Sequence, residues 1–211
     1  MTVGDATLAA MLSYMHWYER QETNVALKLQ TIIVSTRPGR MGPPVGRWFH
    51  DYAVANSKFD AELLDLADFN LPVLDEPEHP RAKKYVHEHT KKWSATIEQG
   101  DAFVFVTPEY NYGPPPSFIN AVSYLSSEWN YKPAGFVSYG GVSGGLRAQQ
   151  MEKQTLTTVK VMPIPESVSI QFFAQRIKDG VFEPTDLMVD GAKVMLSELH
   201  RWATALKTMR G

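Results

Sequence analysis

The chain contains no cysteine among its 211 residues. That absence excludes disulfides, thiolate metal sites and cysteine nucleophiles together, and it fits a reducing cytoplasm, where the protein is expected to reside. Charge of one sign is scarce as well: 21 Lys and Arg against 23 Asp and Glu leave a formal net charge of −2. A polyanion needs a concentrated cationic face, so no nucleic-acid partner is expected. No window reaches the ~20 uninterrupted apolar residues of a membrane helix, and no membrane partner is expected either. Segment 1–26 lacks a basic start and a small-residue cleavage site, which predicts no secretion signal. Within it Leu8, Met11, Leu12 and Met15 recur at helical spacing, the stripe of a short amphipathic helix. Repeats, low-complexity tracts and linkers are missing too. The expectation is one domain over 27–211 with 1–26 as an extension.

What is present is an alternation of short apolar runs and helical patterns. "LKLQTIIVS" (27–35), "FDAELLDL" (59–66), "DAFVFVTP" (101–108), "AGFVSY" (134–139) and "ESVSIQF" (166–172) read as strands. Between them, Val45, Trp48, Phe49 and Tyr52 mark a helix with Pro43 and Pro44 in its first turn, where a missing N–H does no harm. Val86, Thr90, Trp93 and Ile97 mark a second, residues 117–126 a third, "LRAQQMEKQTL" a fourth, and Leu196, Leu199, Ala203 and Leu206 a last one. "ADFNLPVLDEPEHP" reads as a loop without an element of its own. Parallel neighbours need crossovers, and right-handed crossovers cover both faces of a sheet. The predicted class is therefore α/β: a doubly wound, five-stranded parallel sheet in three layers, α/β/α.

Three unusual loops fall at the carboxyl ends of strands, where such sheets bind ligands. "STRPGRMGPP" follows the first strand and precedes a helix. Its hydroxyls, backbone amides and arginines suit a terminal phosphate, and equally an ordinary turn with solvated side chains. "PEYNYGPPP" follows the third strand. Its aromatic, proline-stiffened edge suits a planar heterocycle, and equally a pair of tyrosine anchors. "GGVSGG" follows the fourth, and its glycines let a backbone approach closely. No Walker motif, G-x-G-x-x-G or H-E-x-x-H is present.

With these three segments in this order, "VSTRPGR", "TPEYN" followed by "INA", and "SYGGVSGGLRA", the chain from about Leu27 onward resembles the NAD(P)H-dependent FMN reductases of flavodoxin-like fold, a group of quinone, azo-dye and chromate reductases. The resemblance implies FMN and NAD(P)H as cofactors. It implies that Ser35, Arg37, Arg40, Gly42 and Pro43 hold the FMN phosphate, that Pro108, Glu109, Tyr110, Asn111 and Tyr112 lie along the isoalloxazine, and that Ser138, Tyr139, Gly140 and Gly141 approach its pyrimidine edge. It further implies hydride transfer from NAD(P)H, ping-pong reduction of a quinone, flavin, azo compound or similar small acceptor, no catalytic acid or base, and a homodimer or homotetramer. Val34 and Ile119 depart from the family, which usually carries glycine and lysine there.

Other readings come from the residues themselves. Gly141-Val142-Ser143-Gly144-Gly145 satisfies G-x-S-x-G and is followed by Asp179, Asp186 or Asp190 and then His200, the chain order of an α/β-hydrolase; yet His200 falls on an amphipathic helix and no HGGG segment precedes it. A flavodoxin-type electron carrier would need a more acidic surface. His87 and His89, two apart on an expected helix, point to different faces and read as solvated, so no metal is assigned. Trp48, Trp93 and Trp202 sit at core spacing, whereas Trp129 and Tyr131 are placed in a loop that can line an acceptor slot or a subunit contact.

Overall fold

The computed structural model describes residues 26 to 210, so the helix expected around Leu8–Met15 lies outside the described residues. Five strands, β1 (Lys28–Ile33), β2 (Asp60–Asp65), β3 (Ala102–Pro108), β4 (Pro133–Tyr139) and β5 (Met162–Ile170), form one parallel sheet in the order β2-β1-β3-β4-β5. Every residue of β3 and β4 is buried, as the unbroken apolar runs require when both faces are covered. Helices α1 (Gly42–Asn56) and α5 (Asp186–Lys207) cover one face. Val45 and Phe49 of α1 and Met195, Leu199 and Ala203 of α5 pack there on Val104, Val106 and Val137. Helices α2 (Glu88–Gln99), α3 (Pro116–Ser123) and α4 (Leu146–Thr158) cover the other, over Phe103, Phe105 and Phe136. This is the flavodoxin-like α/β/α sandwich that the sequence predicts. Because β2 and β3 flank β1, the winding direction reverses between β1 and β3, and the crevice of such a sheet opens there.

Several local readings are corrected. Strand β5 begins four residues before "ESVSIQF" and stops at Ile170, because Gln171 and Phe172 turn back at its end, Phe172 at φ +47°. Helix α3 ends at Ser123, three residues early. The segment after β2 carries two single-turn 3-10 helices, Leu66–Phe69 and Pro80–Ala82, and the Asp65 carboxylate caps the first by accepting from the Ala67 N–H at 3.0 Å. A two-stranded hairpin, β6 (Ile177–Lys178) and β7 (Val181–Phe182), was not read from the sequence. Its turn, Asp179-Gly180, has both residues at positive φ, the pairing that a right-twisted hairpin prefers. Phe182 then packs on Trp48, the two rings tilted with centroids 5.2 Å apart, and so pins the hairpin to α1.

Trp129 is also corrected: it is fully buried, edge-on to Phe103 at 5.1 Å, and its indole N–H donates to the Val122 carbonyl. It lines no slot. Val86 lies outside α2 and is exposed. His87 precedes α2 rather than lying within it, so His87 and His89 do not diverge. Their rings stack 5.1 Å apart, nearly parallel, and both face the Asp75 carboxylate, His89 Nε2 at 3.0 Å.

Candidate active site

The first loop leaves β1 with its geometry fixed from two sides. The Val34 N–H donates to the Val106 carbonyl of β3 at 3.1 Å, and the Ser117 hydroxyl donates to the Val34 carbonyl at 2.7 Å. Ser35, fully buried, shares a hydrogen bond of 2.6 Å with the Tyr110 hydroxyl, so the first and second loops meet at that pair. A turn through Gly39, at φ +69°, closes with the Arg40 N–H on the Arg37 carbonyl. Helix α1 then opens with Pro43 and Pro44 in its first turn and no side chain capping its N-terminus. Pro43 and Pro44 carry no N–H, so the groups left free at this end are the N–H of Met41 and Gly42, with the positive end of the dipole behind them. Arg40 pairs with Asp65 through one terminal nitrogen, while its buried Nε has no partner among the described residues. Arg37 is exposed, its guanidinium 6.0 Å from the Tyr110 ring centre.

The second loop is a tight hairpin. Tyr110 and Gly113 exchange both backbone hydrogen bonds, at 3.0 and 2.9 Å, around Asn111 (φ +50°) and Tyr112 (φ +68°). Two consecutive left-handed residues define a type I′ turn. Asn tolerates that conformation, whereas Tyr is strained in it and is held by a neighbour. That neighbour is Arg147, whose guanidinium lies 3.9 Å from the centre of the exposed Tyr112 ring. The same guanidinium bonds the Glu109 carboxylate through Nε at 2.8 Å and a terminal nitrogen at 2.5 Å. Glu109 also accepts from the Ser143 hydroxyl at 2.8 Å and the Arg147 N–H at 3.1 Å. Burial raises the Glu109 carboxyl, and these bonds outweigh it and hold the group below its ordinary value.

The third loop rests on side chains that face inward. Ser138, fully buried, donates to the Gly144 carbonyl at 2.8 Å, and Ser169 donates to the same oxygen at 3.0 Å. Burial pushes the Tyr139 phenol up, Tyr110 reinforces this, and its oxygen packs so closely on α1 that a Cβ on Gly42 would meet it at 2.6 Å. Gly140 is buried, with its N–H on the Ile170 carbonyl at 3.1 Å. Gly141 is different: it is exposed, and a Cβ there would meet nothing within 4 Å. Its free face looks over open space.

All fourteen residues singled out from the sequence thus lie at one rim, the carboxyl ends of β1, β3 and β4. Pro108, the last residue of β3, carries the chain into the hairpin. The hydrolase pairing is not formed. Ser143 follows β4 at this rim and bonds Glu109, whereas His200 packs edge-on against Phe59, which precedes β2 at the opposite rim. Two residues were missed. Arg147 joins Glu109 and Tyr112 across the second and third loops, and Glu152 is buried where the Thr107 hydroxyl donates to it at 2.6 Å. Ala148, Glu152 and Leu156 share the buried stripe of α4 at i, i+4 and i+8, so the signal was a carboxylate on an apolar face.

A doubly wound sheet whose unusual loops gather at the carboxyl ends of β1, β3 and β4 has the layout in which open α/β proteins bind ligands. Comparison with known proteins gives the family. A family model described as NADPH-dependent FMN reductase matches residues 27–175. An NAD(P)H-dependent FMN reductase of Schizosaccharomyces pombe is 38% identical over 159 residues, spanning 74% of this chain and 79% of its own length. A quinone reductase of Escherichia coli is 30% identical over 171 residues, spanning 78% of this chain and 86% of its own. Among solved structures, the flavoenzyme NAD(P)H:(acceptor) oxidoreductase FerB of Paracoccus denitrificans superposes with a TM-score of 0.66 at 21% identity, covering 85% of this chain and 98% of that one, a likeness of fold. The chain belongs to the NADPH-dependent FMN reductase family.

Proposed function

We propose that this rim binds FMN and that the protein passes reducing equivalents from NAD(P)H to a quinone, flavin, azo compound or similar small acceptor by a ping-pong cycle. The observation that carries the reading is the convergence, at the carboxyl end of the sheet, of the uncapped N-terminus of α1, the exposed Arg37, the Tyr110–Gly113 hairpin and the open Gly141. A phosphate can accept from the free N–H groups of that terminus and from the exposed Arg37 guanidinium. When bound, FMN supplies the redox chemistry, taking a hydride from NAD(P)H and giving electrons to the acceptor.

In this reading the chain positions and shields. Ser35, Arg37, Arg40, Gly42 and Pro43 form the phosphate cradle, with Ser35 fixing Tyr110 at the hairpin. Glu109, Tyr110, Asn111 and Tyr112, carried by Pro108, form a stiff edge for a flat ring. Ser138, Tyr139 and Gly140 work from beneath, holding the third loop in place so that the backbone of Gly141 faces the ring. No side chain is assigned as acid or base. Residues 27–211 act as one FMN-binding domain with 1–26 as an extension, in a cytoplasmic homodimer or homotetramer. The family membership and the fold support this reading. Anaerobic addition of NADPH to the FMN-loaded protein should bleach the visible flavin band, and re-addition of a quinone should restore it. Retention of colour with both NADPH and NADH would overturn the proposal.

A further inference from the structure

Beside the phosphate loop runs a groove of about 930 Å³. One wall is the turn Leu66–Phe69 and the strap that follows it to Leu74; the other is α3. Its mouth lies where the first and second loops meet, since Thr36 belongs to the first and Pro116 and Ser117 close the second. Leu66, Leu71, Val73, Leu74 and Ile119 give it an aliphatic lining, and no charged side chain contributes. Val73 is 88% exposed and Ile119 38%, an unusual outlay of aliphatic surface next to a ligand rim.

The polar groups along the groove are already engaged. Asn120 clamps the strap from α3, donating to the Pro72 carbonyl at 2.6 Å and accepting from the Leu74 N–H at 2.9 Å. The Tyr124 hydroxyl reinforces this clamp at Pro72 and Asp75. Ser117 is bound to the Val34 carbonyl and Ser123 to that of Ile119. Thr36 and Asn70 are left as polar groups. The trough is therefore uncharged and largely aliphatic, with only the Thr36 hydroxyl and the Asn70 amide left to offer a ligand. A dinucleotide or a metal oxyanion needs cations that the groove lacks. An alkyl chain needs only dry aliphatic contact and a fixed channel.

We infer that this groove is a tail subsite, and that the acceptor class is an uncharged redox-active ring bearing an alkyl or isoprenoid chain, with the ring at the rim and the chain along α3. The inference rests on the FMN reading and adds the acceptor's class to it. The test uses the FMN-loaded full chain with two acceptors that share a head group, a methoxy-substituted benzoquinone and its decyl derivative. KM for the decyl compound should be lower by about tenfold, the effect of burying a few methylenes. Val73→Asp and Ile119→Asp should each raise the decyl KM by a similar factor and leave the chain-free quinone within about twofold. Val73 is too exposed for its substitution to unfold the protein. Independently of turnover, 1-decanol should bind the FMN-free protein saturably in calorimetry, and Val73→Asp should weaken it. Equal KM values for the two quinones, or no loss in the variants, would overturn the tail subsite while leaving the FMN reading intact. Failure to reduce either quinone, with decanol still bound, would count against the FMN reading instead. A change of oligomeric state in Val73→Asp would make the groove a contact between copies and would also overturn the subsite.

Discussion

Glu152 is a carboxyl in an apolar layer, and its surroundings set its charge. Burial pushes it up to about 8, and the hydrogen bond from Thr107 only partly opposes this. The folded protein therefore keeps it neutral at pH values where the unfolded chain ionises it. The resulting stability is complete below the unfolded value near 4.5 and is lost as pH rises toward about 8. Glu152→Gln should remove that slope: denaturant titrations at pH 5 and pH 8 should differ by a few kcal/mol less in the variant than in the parent. Arg147 works by contact rather than by titration. It ties the hairpin to the third loop through Glu109 and Tyr112, so Arg147→Ala should weaken FMN binding several-fold with little change in melting temperature, and Arg147→Lys should restore only part of it, because an ammonium cannot hold one Glu109 oxygen through two nitrogens and lie flat on the ring. Equal affinities in calorimetric titration would remove Arg147 from the site.

Among the elements, α1 is placed against β1 by absent side chains. A Cβ on Gly46 would sit 2.5 and 2.8 Å from two carbons of Ile33, deep in the sheet–helix interface. Gly46→Ala should therefore lower unfolding free energy by about 1–3 kcal/mol. At Gly39 the space is open and only its positive φ resists substitution, so Gly39→Ala should cost about 1 kcal/mol. Reversal of that order in denaturant titrations would mean that α1 packs otherwise. The sequence made β3 and β4 plain, because strands buried on both faces have no polar alternation to confuse. It placed Pro43 and Pro44 correctly, because proline is welcome only in a helix's first turn. Strand β5 starts earlier than its apolar alternation because it runs through Pro163 and Pro165, which an edge strand tolerates. The hairpin at Asp179-Gly180 carried a turn signal, but two-residue strands are too short for periodicity to show.

For the whole molecule, the convergence of the three loops was legible because topology dictates it: loops after β1, β3 and β4 of a parallel sheet must share a rim. The grip of Arg147 on Glu109 was not legible, since it joins residues 38 apart through a contact that only the folded sheet creates. In the proposed reading this rim carries two kinds of recognition, a charged cradle at α1 and an uncharged groove along α3, and both start at the first loop. The central claim is that this rim holds FMN, and Gly141 offers its most direct test. A Cβ there meets no atom within 4 Å, so Gly141→Leu should leave the melting temperature of the FMN-free protein unchanged. Titrated into FMN, the parent should quench the flavin's fluorescence to a one-to-one end point, and Gly141→Leu should fail to. Equal quenching by both proteins, or none by the parent, would contradict the account.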